Sequence, residues 1–175
     1  FKKSDLTKKL GERPEQPFRG PNHPTLLSNA MVHPFYLVKA KGVIWYQGES
    51  NAGRAYQYRS LMPLLIQDWR NRFGQDFSFY WVQLANFTMP RDTPGDSQWA
   101  ELREAQTMTL SVPKTGQAVI IDIGEARDIH PKNKQDVGKR LALNALAKDY
   151  GKSVVYSGPM FKSVEFSENR AIIDF

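Results

Sequence analysis

Two hydrophobic patterns alternate between residues 43 and 150 of this chain. Short runs of β-branched and aromatic residues predict strands at residues 43–46, 79–84 and 118–123. The first run has no polar residue in it, which is typical of a strand covered on both faces. Apolar residues at three- and four-residue spacing predict helices at residues 55–73, 97–110 and 134–150.

Each predicted helix has one apolar face that we expect to pack into the core. In the first helix this face consists of Tyr58, Leu61, Met62, Leu65, Trp69 and Phe73, and Gly74 is the expected end. In the second helix the inward residues are Trp99, Leu102 and Ala105. In the third they are Val137, Leu141, Ala145 and Leu146, and the helix ends at Gly151.

The order strand, helix, strand, helix, strand, helix predicts an α/β fold, with a parallel sheet and right-handed crossovers between helical layers. The last residues follow a different pattern. Residues 160–166 and 170–175 alternate around Ser167, Glu168 and Asn169, which predicts an antiparallel hairpin. We therefore divide the chain into an α/β domain, residues 1–158, and the start of a β-rich accessory module, residues 159–175.

The segment before the first strand is of another kind. Residues 1–29 contain four prolines and little apolar periodicity, so we expect a loop-like surface segment. Residues 29–38 are apolar but contain Pro34, which predicts a short helix followed by an extended stretch. Because the chain begins at Phe1 rather than Met, we expect it to be a portion of a longer protein.

Composition places the chain among globular proteins, with 41% hydrophobic and 24% charged residues. No apolar run approaches the roughly 20 residues that span a bilayer, so we predict no membrane helix. The absence of cysteine excludes disulfides, thiolate metal sites and a cysteine nucleophile. The net charge of +6 is concentrated in residues 1–19 and 127–152. No RNA-binding motif or zinc-finger spacing accompanies it, so we predict solvated faces and no nucleic-acid partner.

Ligands of an open parallel sheet bind at the carboxyl ends of its strands. The third predicted strand leads into a loop with Glu125, Asp128 and His130. His130 shares this loop with a carboxylate and precedes a helix, which is the setting of a general base oriented by an acid. A solvated, structural histidine is the alternative. His23 and His33 lie far away in Pro-rich segments, so we predict neither a metal site nor a cofactor.

The residues after the first strand offer a second group of candidates. Residues 48–52, Gly-Glu-Ser-Asn-Ala, nearly match a nucleophile elbow but lack its final glycine. Ser50 is then a candidate nucleophile; alternatively, Ser50 and Asn51 cap the helix that follows. Glu49 is either a buried charge with a partner or a catalytic acid. The amide of Gln47 is a candidate donor to an oxyanion.

Several separate blocks agree in order and spacing with one family. The segments GVIWYQGESNA, YRSLMPLLIQDWR, FYWVQLA, WAELREAQ and AVIIDIGEARDIHPKNKQDVGKRLAL resemble the bacterial sialate O-acetylesterase family, a branch of the SGNH (GDSL-like) carbohydrate esterases. The resemblance covers about residues 27–159. It implies hydrolysis of an acetyl ester on a sugar hydroxyl, typically of sialic acid, through a serine acyl-enzyme on a three-layer α/β/α flavodoxin-like fold.

The resemblance also implies roles for individual residues. His130 matches the family's general base, Gln47 and Gly48 match its oxyanion site, and Glu49 supports that site. Ser50 and Asn51 belong to the same block. The family's nucleophilic serine lies in an earlier Gly-Gln-Ser-Asn-like block, and since this chain has no such block, we expect the nucleophile upstream.

One position departs from the superfamily's usual pattern. The aspartate that normally stands three residues before the histidine is replaced here by Arg127, and Asp128 stands two residues before it. Either Asp128 orients His130, or the enzyme works as a dyad assisted by Glu49 or Asp122.

Three functional hypotheses result. The leading one is a carbohydrate O-acetylesterase in which this chain is the C-terminal portion of the catalytic domain. Its partners are then an acetylated sugar, sialic acid or a sialoglycan, and the preceding segment of the same protein. The second hypothesis is a non-catalytic glycan-binding or scaffold segment, and the third is a self-sufficient serine hydrolase that uses Ser50. The resemblance implies a secreted or periplasmic setting.

Overall fold

The computed structural model describes residues 23–175, which form two units, one up to Lys39 and one from Ala40 onward. The basic cluster predicted at residues 1–19 and most of the loop-like segment predicted at residues 1–29 lie outside the described residues. In the first unit, a π-helical turn spans Ser28–Val32 and a 3-10 turn spans His33–Phe35. Pro34 has no N–H to continue the preceding turn, so the predicted short helix is two single turns.

The second unit contains a parallel three-stranded sheet with the strand order β1-β2-β3. Its strands are β1 (Gly42–Trp45), β2 (Ser78–Gln83) and β3 (Thr115–Val119). The helices are α1 (Ala55–Phe73) between β1 and β2, α2 (Gln98–Met108) between β2 and β3, and α3 (Lys134–Lys148) after β3. The predicted α/β fold is confirmed.

Local sequence signals explain where these helices begin and end. Helix α1 ends at Gly74, whose left-handed backbone (φ 60°) lets its N–H bond the last turn, as predicted. Helices α2 and α3 begin where Ser97 and Asn133 accept backbone N–H groups of the first turn. No helix among residues 23–175 combines the length and the apolar character needed to cross a membrane.

Successive residues of β2 point to opposite faces of the sheet and enter two different cores. Phe79 and Trp81 are fully buried against α1 and α2, together with Met62, Ile66 and Leu102. Tyr80 and Val82 are buried on the other side against α3, together with Ile120, Val137 and Leu141. The central strand is therefore sandwiched between helical layers.

The structure corrects the prediction that the first strand is covered on both faces. Val43 and Trp45 pack on the core under α1, but Ile44 is 72% exposed. Helix α3 packs mainly against β2 and β3 and leaves Ile44 of β1 exposed. Sequence hydrophobicity could not reveal which faces the described residues leave open.

Three further expectations were wrong in detail. The third strand begins three residues and ends four residues earlier than predicted, because Thr115 and Gln117 pair with β2 and the Gln117 side chain accepts a hydrogen bond from buried Trp81. In α1, Leu61 is 45% exposed and Ile66 is fully buried instead. From Tyr58 onward every fourth residue of α1 is buried, and Leu61 lies just outside this stripe. Leu146 is likewise exposed on α3.

The C-terminal hairpin is confirmed as β4 (Ser163–Ser167) paired antiparallel with β5 (Arg170–Asp174). The turn contains Glu168 in a left-handed conformation (φ 50°). Cross-strand pairing puts Val164 beside Ile173 and Phe166 beside Ala171, so one face of the hairpin is apolar.

Candidate active site

A cleft of about 490 Å³ lies at the carboxyl end of the sheet. Its walls are formed by Tyr46, Glu49, Ser50, Ile129, His130 and Lys134. The fold therefore brings together Glu49 and Ser50, which follow β1, with His130, which follows β3 some 80 residues later in the sequence. Gln47, Gly48, Asn51 and Asp128 are adjacent in sequence to these residues but do not line the cleft.

The loop that carries His130 is held by close backbone packing. A Cβ atom on Gly124 would lie 2.6 Å from the backbone oxygen of Asn86, so only glycine allows the loop to approach the end of β2 this closely. On the other side of His130, Pro131 is fully buried. Two fixed points thus place the histidine at the cleft.

Asp128 shapes this loop through the backbone of His130. Its Oδ1 accepts the His130 backbone N–H at 2.9 Å, while the distance from Oδ1 to Nδ1 of the ring is 3.8 Å, too long for a hydrogen bond. The imidazole is 85% exposed. Asp128 therefore fixes the turn and keeps a negative charge near the ring without bonding it.

Ser50 lies in a 3-10 turn, Glu49–Arg54, rather than in a nucleophile elbow. The unusual backbone belongs to Gly48 (φ 150°), whereas in an elbow the serine itself occupies the strained turn. The prediction that Ser50 and Asn51 cap the next helix is wrong, because the cap position of α1 is Arg54 and Asn51 bonds Gln47 instead.

Glu49 has a half-buried carboxylate with no hydrogen-bond partner in residues 23–175. It faces two tyrosines: burial raises the pKa of both Tyr46 and Tyr58, and the nearby Glu49 charge raises each further. Among the described residues Glu49 therefore has no ion-pair partner, contrary to the interpretation as a buried, paired charge. Its carboxylate lines the cleft, where a ligand can reach it.

Gln47 is held by a network of hydrogen bonds. Its Nε2 donates to Asn51 Oδ1 at 2.7 Å, and its Oε1 accepts from the Tyr58 hydroxyl at 3.1 Å. Its backbone oxygen accepts from Tyr58 and from Gln106 Nε2, each at 3.3 Å. One Nε2 hydrogen of Gln47 is left for a ligand.

Asp122 does not join the cleft. It forms a two-pronged ion pair with Arg140, which lowers the pKa of Asp122 to about 2. Arg140 also donates to the backbone oxygen of Val119 at 2.7 Å. Asp122 thereby ties the end of β3 to α3, and we assign it no contact with His130.

Sequence reasoning missed three residues that line the cleft, Tyr46, Ile129 and Lys134. The Lys134 ammonium lies 4.6 Å from the centre of the Tyr46 ring, in cation–π geometry. Their positions carried a usable signal, since Tyr46 directly precedes Gln47 and Lys134 opens the helix after His130. Among the described side chains, no group of three or more histidines and carboxylates is arranged to hold a metal ion.

Comparisons with known proteins agree with one another. A family model for carbohydrate esterases, sialic acid-specific acetylesterase, matches residues 25–147. Sialate O-acetylesterase from Mus musculus is 37% identical, over 89% of this chain and 32% of the mouse protein. The Homo sapiens sialate O-acetylesterase is 34% identical, over 95% of this chain and 35% of the human protein.

A solved structure is similar as well. The crystal structure of a carbohydrate acetylesterase from Xanthomonas citri matches with a TM-score of 0.80 and 52% sequence identity. The match covers 86% of this chain and 35% of the bacterial one. The chain thus spans about a third of the length of each of these proteins.

Proposed function

The chain belongs to the family of sialic acid-specific acetylesterases, which are carbohydrate esterases, and from this membership we propose that it is the C-terminal part of an esterase domain. The substrate is an acetyl ester on a sugar hydroxyl, with sialic acid or a sialoglycan as the sugar. Residues 1–158 belong to the catalytic domain and residues 159–175 begin a β-rich module.

The observation that carries this proposal is the state of His130. The ring of His130 lines the cleft beside Glu49 and Ser50, makes no hydrogen bond within residues 23–175 and is mostly exposed. Backbone contacts at Gly124 and Pro131 fix the loop instead. A positioned ring with open nitrogens is what a general base needs.

The reaction follows the serine-esterase pattern. A serine that precedes β1 in the full-length protein attacks the acetyl carbonyl carbon and passes its proton to a ring nitrogen of His130. The Gln47 amide, with Gly48 beside it, donates to the resulting oxyanion. The sugar oxygen leaves with the proton from His130. Water then repeats the sequence on the acyl-enzyme, which releases acetate and restores the serine.

The test is acetate release from O-acetylated sialic acid by the full-length protein, compared with 4-nitrophenyl acetate turnover by the 175-residue chain alone. We expect hydrolysis by the former and little or none by the latter, since the nucleophile is missing. Turnover by the chain alone that Ser50→Ala abolishes would support the self-sufficient hydrolase. Binding of the acetylated sugar by the full-length protein without hydrolysis would support the glycan-binding alternative.

A further inference from the structure

The proposed oxyanion donor, Gln47, is contacted from the core side by Tyr58. Tyr58 lies on α1 and is 5% exposed. Its single hydroxyl proton lies between two oxygens of Gln47, the backbone oxygen at 3.3 Å and Oε1 at 3.1 Å. No other residue of the described chain bonds the Oε1 atom of Gln47.

We propose that Tyr58 is a positioning residue, which orients the Gln47 side-chain amide so that Nε2 rather than Oε1 faces the reacting ester. The inference rests on the proposed function. A glutamine amide is nearly symmetric in shape, so it can turn over unless its hydrogen bonds distinguish oxygen from nitrogen. With Oε1 bonded to the Tyr58 hydroxyl, Nε2 keeps one hydrogen for Asn51 and one for the oxyanion.

The hydroxyl of Tyr58 has a proton to donate to Gln47. Burial raises the pKa of Tyr58, so the phenol stays protonated at neutral pH. An oxygen of Gln47 turned toward the substrate would instead repel the developing oxyanion. Loss of this hydroxyl removes the preference for the productive orientation.

The backbone oxygen of Gln47 has a second donor besides Tyr58. Gln106 is fully buried on α2, and its Nε2 donates to the backbone oxygens of Gln47 and Val82. Its Oε1 accepts from the Leu84 N–H at 2.9 Å. Gln106 thereby joins the ends of β1 and β2, so removal of the Tyr58 hydroxyl leaves the loop in place and affects mainly the Gln47 side chain.

The experiment is steady-state kinetics of the full-length protein with Tyr58→Phe and with Tyr80→Phe as the matched control. Both tyrosines are buried, but the Tyr80 hydroxyl donates to Asp149 at the opposite end of the sheet. We expect Tyr58→Phe to lower kcat about tenfold, the size of one lost hydrogen bond, with KM within twofold. Tyr80→Phe should keep the wild-type kcat and lose at least as much thermal stability.

A double-mutant cycle with Gln47→Ala completes the test. If Tyr58 acts through Gln47, Tyr58→Phe has no further effect on kcat in the Gln47→Ala background. A wild-type kcat for Tyr58→Phe, or an equal loss in both backgrounds, overturns the inference and leaves the proposed function standing. A wild-type kcat for Gln47→Ala overturns both the inference and the oxyanion role of Gln47.

Discussion

Polar side chains are hydrogen-bonded within the protein at the amino end of the parallel sheet, whereas two of the candidate site residues at its carboxyl end are not. At the amino end, Arg70 is only 7% exposed and donates to three backbone oxygens, those of Phe77, Pro113 and Lys114. Asp149 accepts from Ser78 and Tyr80 there. At the carboxyl end, Glu49 and the ring of His130 have no hydrogen-bond partner among residues 23–175.

This difference indicates that polar residues at the amino end stabilise the fold, whereas those at the carboxyl end are available for catalysis. Buried polar groups cost free energy unless they are paired, and the amino end meets that condition. Burial at this end also raises the pKa of Tyr80 to about 12, so the Tyr80 hydroxyl keeps the proton that it donates to Asp149. Groups left unpaired at a cleft are available to a substrate instead. Substitutions at the carboxyl end should therefore change kcat, and substitutions at the amino end should change the free energy of unfolding.

His130→Ala in the full-length protein should have the largest effect. We expect kcat to fall by about three orders of magnitude or more, because the general base acts in the transition state, with the unfolding temperature unchanged. His33→Ala is the control, since His33 contacts Tyr36 within its own segment. A kcat within a few-fold of wild type for His130→Ala would make His130 structural.

Gln47→Ala should lower kcat by about 100-fold, the effect of one lost oxyanion donor, with little change in KM. Kinetics at several substrate concentrations separate the two constants. An effect on KM alone would reassign Gln47 to sugar binding.

Arg70→Met tests the amino end. The carbonyl groups of Phe77, Pro113 and Lys114 each lose a charged donor, so the free energy of unfolding should fall by about 3 kcal/mol, while kcat per folded molecule is unchanged. Urea unfolding measures the first quantity. Arg72→Met on the same helix turn removes an exposed pair with Asp68 and should cost under about 0.5 kcal/mol. A large loss of kcat in Arg70→Met would contradict the division between the two ends.

Asp128→Asn should be milder than His130→Ala, with a kcat about tenfold lower. The asparagine oxygen can still accept the His130 backbone N–H, but the negative charge 3.8 Å from the ring is lost. The pH profiles of kcat for both variants provide the measurement. Equal inactivation would identify Asp128 as a full member of the triad.

Asp122→Asn should show the smallest effect, and it should depend on pH. Hydrogen bonds from Arg140 lower the pKa of folded Asp122 to about 2, so the unfolded chain binds this proton more tightly. The pair therefore stabilises the fold above about pH 4 and loses its contribution as the pH falls through 2. Because Asp122 is mostly exposed, the difference at pH 7 should stay under about 1 kcal/mol. An equal difference at pH 2 and pH 7 would refute this assignment.

Local signals made much of the fold predictable. The apolar spacing and Gly74 predict the bounds of α1, and the alternation around residues 167–169 predicts the final hairpin. The third strand was misplaced because its pairing depends on Thr115 and Gln117, polar residues whose partners lie on distant segments. The bounds of such a strand cannot be predicted from runs of apolar residues alone.

For the candidate site too, the sequence predicts which residues come together but not which side chains bond each other. The sequence predicts that Glu49, Ser50 and His130 meet, because all follow parallel strands at one edge. It cannot predict that Asp128 bonds the backbone of His130 instead of its ring, or that Asp122 is occupied by Arg140. Those outcomes depend on side-chain distances of a few tenths of an ångström. The role of Tyr58 likewise depends on the hydroxyl reaching Gln47 across eleven residues of sequence.

The parallel pairing of the sheet also determines how the chain folds during synthesis. Val43 lies beside Phe79, and Phe79 beside Thr115, so each pairing joins residues 36 positions apart. At about 5–20 residues per second, β1 waits roughly 2 to 7 seconds for its neighbour to be made. Helix α1 needs only local contacts and forms within microseconds. In the folded chain its Trp69 contacts Trp45, so α1 is the first element available to cover the apolar side of β1 while β2 is still being made.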